Sequence, residues 1–354
     1  MLLTRASATA AAVASALLLA SCGEAATTGG TAADAAGRSG GSVTDADPAA
    51  FPVTVQHAYG QTTIEAAPQR VATVAWANHE VPLALGVVPV GMSRATWGDD
   101  DGDGVLPWVE DRLGELGAPT PVLFDETDGI DFEAVADTSP DVILAAYSGL
   151  TQEEYDTLSK IAPVVAYPDI AWGTTMDEMI ELNSQALGLA AEGEQLVTDL
   201  DAEIAETVAG FPQLEGLTGL FTYVDPNDLS QIGFYTSADP RAGFLGSLGM
   251  QTPQVVTEAS QGSDSFYETV SAERSDAFSD VDLFITYGAT DGSVLELVQG
   301  DPLMSTIPAV ERGAVAVLED DSPLAAAANP SPLSVAWGLE DYLSILAEAA
   351  DATR

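Results

Sequence analysis

Hydrophobic positions change period several times along the chain, and each change marks an element. From Val53 to Ile64, VTVQHAYGQTTI alternates apolar and polar residues and turns at Tyr59-Gly60, which predicts a hairpin. Short apolar runs then alternate with helical stripes. The strands are RVATVAW (70–76), VVPVGMS (87–93), PVLF (121–124), DVILAAYS (141–148) and PVVAYP (163–168). Between and after them come helices over 79–86, Leu106 to Leu116, DFEAVADTSP, EEYDTLSKIA and Thr174 to Leu187. Strands separated by helices predict parallel βα units rather than a sandwich.

Leu189 to Pro212 carries apolar residues at Val197, Leu200, Ile204, Val208 and Phe211. Those steps of three and four are a helical stripe. Gly188 precedes it, and Gly210 and Pro212 are stop signals. At 1.5 Å per residue the rod is roughly 30 Å long. Beyond it the pattern predicts strands at LTGLFTYVD (217–225) and SQIGFYTS (230–237), a helix at DPRAGFLGSLG and a strand at TPQVV (252–256). A short helix in VSAERSDAF, a buried strand VDLFITYGA (281–289) and a helical pair over Ser293 to Ile307 follow. The strand AVAVLED and a closing helix from Leu333 to Ala350 complete the chain.

The two halves echo each other. FEAVADTSPDVILAAYSG matches SAERSDAFSDVDLFITYGA, and LSKIAPVVAY matches MSTIPAV followed by GAVAVLE. A repeat on this scale implies two lobes of like α/β design, 51–188 and 213–354, joined once by the helix 189–212. Ligands of open α/β sheets bind beyond the carboxyl ends of the strands, so the expected site lies between the lobes.

Charge narrows the function. Of 354 residues, 55 are acidic and 10 basic, a formal net charge of -45, which suits high salt and excludes nucleic acid as a partner. An anionic ligand must draw on a short list of cations: Arg70, Arg94, Arg112, Lys160, Arg241, Arg274, Arg312 and Arg354 in the body of the chain. The single cysteine, Cys22, follows Arg5 and an apolar stretch from Ala8 to Ala20 that is too short to span a membrane. Leu19-Ala20-Ser21-Cys22 resembles a bacterial lipobox, with 1–21 as signal peptide and Cys22 as the lipidated first residue of the mature chain. Residues 22–50 then read as a flexible tether with a reach of about 30 Å.

Pro68-Gln69-Arg70-Val71, Leu85-Gly86-Val87 and Pro89-Val90-Gly91 resemble the opening signature of class III periplasmic-type solute-binding proteins of ABC importers. Asp131-Phe132-Glu133, Pro140-Asp141-Val142-Ile143-Leu144 and Ile161-Ala162-Pro163-Val164-Val165 continue it in order. The pattern is most similar to the iron-siderophore branch of Gram-positive lipoproteins. The resemblance implies an α/β fold of two Rossmann-like lobes with mainly parallel sheets, joined by one long helix that permits only slight closure. It also implies an extracytoplasmic, lipid-anchored monomer delivering its ligand to an ABC permease, with no cofactor required. Glu133 and Glu273 match the two glutamates with which the family docks on permease arginines.

A ferric siderophore offers oxygens already saturated by iron, so recognition calls for aromatic walls and a few Arg or Tyr donors. The candidates are Trp76, Arg94, Trp97, Tyr147, Trp172, Tyr223, Arg241 and Tyr287. Arg241 opens a helix, where the dipole disfavours a cation, so it needs a partner, either the ligand or Asp239. Trp108 and Trp337 lie on helical stripes and read as core. Two histidines, His57 and His79, are too few for a bare transition-metal site. Asp99, Asp101, Asp103, Gly102-Asp103-Gly104 and Glu110 fit the calcium-loop spacing D-x-D-x-D-G-x5-E, although no helix precedes the loop and Pro107 occupies a ligand position. Calcium would act there as a structural clip.

No nucleophile elbow, catalytic cysteine, dinucleotide fingerprint or P-loop is present, so an enzyme is not expected. The expected ligand is a ferric siderophore of hydroxamate type, because an anionic tris-catecholate would be repelled. Haem or cobalamin binding on the same scaffold is one alternative. A calcium-binding surface lipoprotein with an adhesion or sensor role is another.

Overall fold

The computed structural model describes residues 48–351. The signal peptide, Cys22 and most of the tether fall outside the described residues, as does Arg354.

The hairpin pairs β1 (Val53–His57) with β2 (Gly60–Ile64) and turns at Ala58-Tyr59, in register His57 to Gly60. Its alternation buries Val55, His57, Thr62 and Ile64 on one face. The first lobe then forms a parallel five-stranded sheet in the order β5-β4-β3-β6-β7. These strands are β3 (Val71–Thr73), β4 (Gly91–Ser93), β5 (Val122–Phe124), β6 (Val142–Leu144) and β7 (Val164–Val165). They are two or three residues long because the apolar runs that predict them continue into irregular backbone leading to the cleft. The intervening helices are α1 (Glu80–Ala84), α2 (Pro107–Leu116), α3 (Phe132–Asp137) and α4 (Gln152–Leu158). Helix α5 (Met176–Leu187) closes the lobe, started by a Thr175/Glu178 capping box and ended by Gly188 in the left-handed region.

The predicted rod is α6 (Ala190–Val208), which buries Leu200 and Ile204 from its stripe. The second lobe has the sheet order β10-β9-β8-β11-β12. Its strands are β8 (Gly219–Tyr223), β9 (Gln231–Tyr235), β10 (Tyr267–Ser271), β11 (Leu283–Gly288) and β12 (Val315–Glu319). Strand for strand this is the order of the first sheet, which is what the sequence repeat predicts. One strand breaks the symmetry: β9 runs antiparallel to both β8 and β10, while β8, β11 and β12 are parallel. The mainly parallel expectation therefore holds fully in the first lobe and for half of the pairings in the second. The reason is local, since Asp225 to Ser230 is too short for a crossover helix and returns the chain as a hairpin.

One reading of pattern is corrected. TPQVV is not a strand; Gln254–Ser260 is a helix (α8), following α7 (Pro240–Ser247), with Pro253 at its N-cap. The polar segment YETVS, with no apolar run, is the edge strand β10. The remaining elements are 3-10 helices over Pro48–Ala50, Ala272–Phe278 and Met304–Thr306, with α9 (Ser293–Gly300), α10 (Pro308–Arg312), α11 (Pro323–Ala327) and α12 (Ser334–Ala350).

The chain crosses between the lobes once, through α6, but packing joins them again. Ala326 of α11 lies in a core cluster otherwise made of first-lobe residues, Leu83, Met92, Val105, Leu106, Trp108, Val109 and Leu113. Glu80 of α1, fully buried, accepts from Trp108 Nε1 at 2.8 Å and from Leu333 N at the start of α12 at 3.0 Å. Burial pushes its carboxyl up to about 7, although the hydrogen bonds from Trp108 and Leu333 oppose the shift. Asp321 adds a bond from Gly98 N at 2.8 Å.

Candidate functional site

Four of the five first-lobe strands deliver a residue to one cavity just past their carboxyl ends. Beyond β3 come Ala75 and Trp76; beyond β4, Arg94; beyond β5, Glu126; beyond β6, Ser148 and Gly149. Ser93, the last residue of β4, and Trp172 complete the walls of a space of about 270 Å³. This is where a parallel sheet offers a ligand site, because the strand order reverses around β3 and β6.

The backbone that presents the tryptophans is strained and pinned. Ala75 and Ala77, on either side of Trp76, have φ of 60° and 59°, and Trp172 itself has φ of 60°. Left-handed non-glycine backbone costs of order 1–2 kcal/mol per residue and persists only where surroundings hold it. Glu126 holds one side, accepting from Ala75 N at 2.9 Å. Asn78 holds the other, donating to Val74 O at 2.9 Å and Tyr147 O at 2.8 Å and accepting from Tyr147 N at 3.1 Å. Trp172 lies against Gly149, where a Cβ would meet the indole. Burial also pushes the Glu126 carboxyl up to about 7, partly offset by the hydrogen bond from Ala75 N.

From Trp76 on the cavity wall, aromatic rings run from one lobe into the other. Trp76 and Trp97 have centroids 6.5 Å apart, Trp97 meets Tyr287 edge-on at 5.4 Å, and Tyr287 meets Phe221 at 5.4 Å. Phe221 then packs on Tyr235, and Tyr235 on Tyr267. Such pairs prefer tilted and edge-to-face geometry because the ring faces are negative and the edges positive. The Arg241 guanidinium stacks over Tyr235, 3.9 Å from the ring centroid.

The structure sorts the sequence candidates. Trp76, Arg94 and Trp172 line the cavity together. Trp97 belongs to the aromatic row. Tyr287 is buried in it with its hydroxyl lacking a partner. Tyr147 is buried and packs on Trp172, and its hydroxyl accepts from Asn329 Nδ2 at 3.0 Å, an inter-lobe bond. Burial pushes the Tyr147 phenol up to about 12. Tyr223 ends β8 with 47% of its surface exposed.

Of the two partners considered for Arg241, the structure supplies Asp239. The fully buried Asp239 takes Nε at 2.8 Å and Nη2 at 2.7 Å, while also capping α7 through Arg241 N. Trp337 departs from its core assignment. It is 37% exposed and borders a groove between α2, α6 and α12, packing on the buried Trp108. Sequence reasoning missed Glu126 and Asn78. Glu126 and Asn78 follow strand runs, but in so acidic a chain nothing in the pattern distinguishes a pinning carboxylate from a solvated one.

The acidic loop closes on itself. Asp99 accepts from Gly102 N and Gly104 N, Asp101 from Asp103 N, and Asp103 from Val105 N. Carboxylate oxygens of Asp99, Asp101 and Asp103 lie within 4.8 Å of one another. Burial, and then the neighbouring Asp103, raise the Glu110 carboxyl. Gly104 leaves room for Arg94, since a Cβ there would come 2.7 Å from Arg94 Cγ.

Glu133 and Glu273 are both exposed. Each starts a helix that leaves the carboxyl-terminal edge of its sheet, after β5 and β10 respectively, so the two occupy equivalent places in the repeat. Asp131 caps the first helix and Ser271 the second.

Known proteins match both the fold and the sequence. PiaA of Streptococcus pneumoniae, in a crystal structure with ferrichrome, is 45% identical with a TM-score of 0.82, over 85% of this chain and all of that one. The probable siderophore-binding lipoprotein YfiY of Bacillus subtilis is 30% identical over 155 residues, a match spanning 43% of this chain and 44% of that protein. The Fe(3+) dicitrate-binding periplasmic protein FecB of Escherichia coli is 24% identical over 281 residues, 77% of this chain and 84% of that protein. The profile of the periplasmic binding proteins matches residues 71–322. The chain belongs to the periplasmic binding protein family.

Proposed function

We propose that this protein captures a ferric siderophore of hydroxamate type in the inter-lobe cleft and delivers it to an ABC permease, without catalysing a reaction. The observation that carries this reading is the cavity at the strand ends. Its walls include Trp76, flanked by left-handed backbone, and Trp172, Arg94 supplies a donor, and an aromatic row runs from Trp76 through Trp97 into the second lobe. That is a surface for an organic shell with a few oxygens, and it contains no cluster of metal ligands among the described residues beyond the acidic loop. Similarity to ferrichrome-bound PiaA supports the same ligand class. Trp76, Arg94, Trp97, Tyr147, Trp172, Tyr223, Arg241 and Tyr287 are the proposed contact set. The proposed lobes are 51–188 and 213–354 about the bridge 189–212.

A fluorescence titration panel tests the ligand: ferrichrome, ferrioxamine, a ferric catecholate, ferric citrate, haem and cobalamin. Submicromolar quenching by the hydroxamates is expected, and binding of only the catecholate or only haem would overturn the reading. The protein is further proposed to act as a monomer held outside the cytoplasm by lipid on Cys22, with Glu133 and Glu273 docking on the permease. No helix among the described residues is long and apolar enough to cross a membrane. Replacing both glutamates by alanine should abolish uptake and leave ligand affinity unchanged; normal uptake would remove the docking role. Calcium at Asp99, Asp101, Asp103 and Glu110 is proposed as a clip on the loop that seats Arg94. Calorimetry with millimolar calcium reads it directly, and no heat of binding would dispose of it.

A further inference from the structure

The cleft holds a charge imbalance that bears on which hydroxamate it takes. Arg241, the cation contributed by the second lobe, is committed to Asp239 through two charge-assisted bonds and is stacked on Tyr235. Arg94, the cation of the first lobe, lends its charge to Asp99 and Asp125 on the neighbouring loops. Two carboxylates line the cavity beside it, Glu126 from the end of β5 and Glu154 from α4. Glu154 holds the N-terminus of its own helix, accepting from Thr151 N and Oγ1 at 2.8 Å. Glu126 spends one oxygen on Ala75 N, and the other, Oε1, is shielded from water and has no hydrogen-bond partner. The other elements that meet at Glu126 contribute no further charge: Ala75 and Trp76, Ser93, Ser148 and Gly149, and Trp172 are all neutral.

We infer that the cavity recognises a ferric hydroxamate carrying a pendant ammonium group, which sits beside Glu126 and Glu154. This rests on the ferric-hydroxamate reading and narrows it. A partly buried carboxylate with one shielded, unpaired oxygen favours an incoming cation over a neutral or anionic group. A neutral ligand would leave that carboxylate uncompensated, and an anionic one would add repulsion. The linkage has a definite sign. Glu126 stands near pH 7 between its charged and neutral forms. A cation placed beside it stabilises the charged form, so binding releases a proton and tightens as pH rises toward 7, then levels off.

Calorimetry on the full chain with two probes that differ in one charge tests this. Ferrioxamine B carries a primary ammonium, and its N-acetyl derivative has the same iron centre without it. At pH 8 the ammonium form should bind about tenfold more tightly, and the ratio should shrink severalfold at pH 6. Glu126→Gln should bring the two ligands within threefold of each other at both pH values. Glu154→Gln, which keeps an oxygen for the Thr151 cap, should lower the ratio if Glu126→Gln does not fold. Equal affinities at pH 8 would overturn the inference while leaving the hydroxamate reading intact. If neither ferrioxamine nor ferrichrome binds, the hydroxamate reading itself falls.

Discussion

Asp239 serves two structures with one carboxylate. It caps α7 through Arg241 N and neutralises the Arg241 guanidinium, and it is fully buried while 18% of the arginine side chain is exposed. Removing one partner of such a pair leaves a charge without compensation, which costs about 3–5 kcal/mol. Asp239→Ala should therefore lose roughly that much in a urea titration, and Asp239→Asn about 1 kcal/mol less, because asparagine still caps. Equal losses would mean that the cap contributes nothing. The sequence made this residue visible, since a cation at a helix start needs an explanation. It did not show Glu126, whose importance lies in what the fold brings beside it. Nor did it show that Trp337 is partly exposed, because a helical stripe gives the direction of burial but not where the neighbouring helix ends.

At the scale of elements, the segment Val74–Asn78 carries more strain than any strand it follows. Glycine at Ala75 or Ala77 would relieve about 1–2 kcal/mol of left-handed strain. It would also free the unfolded chain, at a cost of about 0.4–1 kcal/mol. Ala75→Gly should therefore be neutral to slightly stabilising in thermal unfolding, yet weaken ligand binding severalfold by loosening Trp76. Unchanged affinity would show that the Glu126 and Asn78 pins suffice alone. Elements with strong periodicity were legible: the hairpin, the parallel strands of the first lobe, α5, α6 and α12 all stand where the pattern puts them. TPQVV misled because two β-branched residues after a proline suit a strand as well as a first helical turn. YETVS was silent because an edge strand needs no apolar run. The reversal of β9 could be anticipated only from the brevity of the loop before it.

For the whole molecule, Glu80 and the net charge push stability in the same direction with pH. Glu80 ties the first lobe to the start of α12, and its carboxyl lies at about 7 when folded against an ordinary value of 4.5. The folded state thus binds the proton more tightly, so its contribution is fully present below about pH 4.5 and is lost as pH rises toward 7. A shift of that size corresponds to about 3 kcal/mol across the window. Glu126 shifts in the same sense. A net charge of -45 adds self-repulsion that grows as carboxyls ionise and weakens in salt. The protein should melt higher at pH 5.5 than at pH 8, and added salt should narrow the gap. Glu80→Gln separates the local term from the global one. The amide can accept from only one of Trp108 and Leu333, so the variant is less stable, but it has no proton to exchange. Its deficit relative to the unmodified protein should be largest near pH 5 and should shrink by about 1–3 kcal/mol toward pH 8. A deficit constant with pH would assign the whole slope to the surface charge and leave Glu80 as a plain inter-lobe hydrogen-bond acceptor.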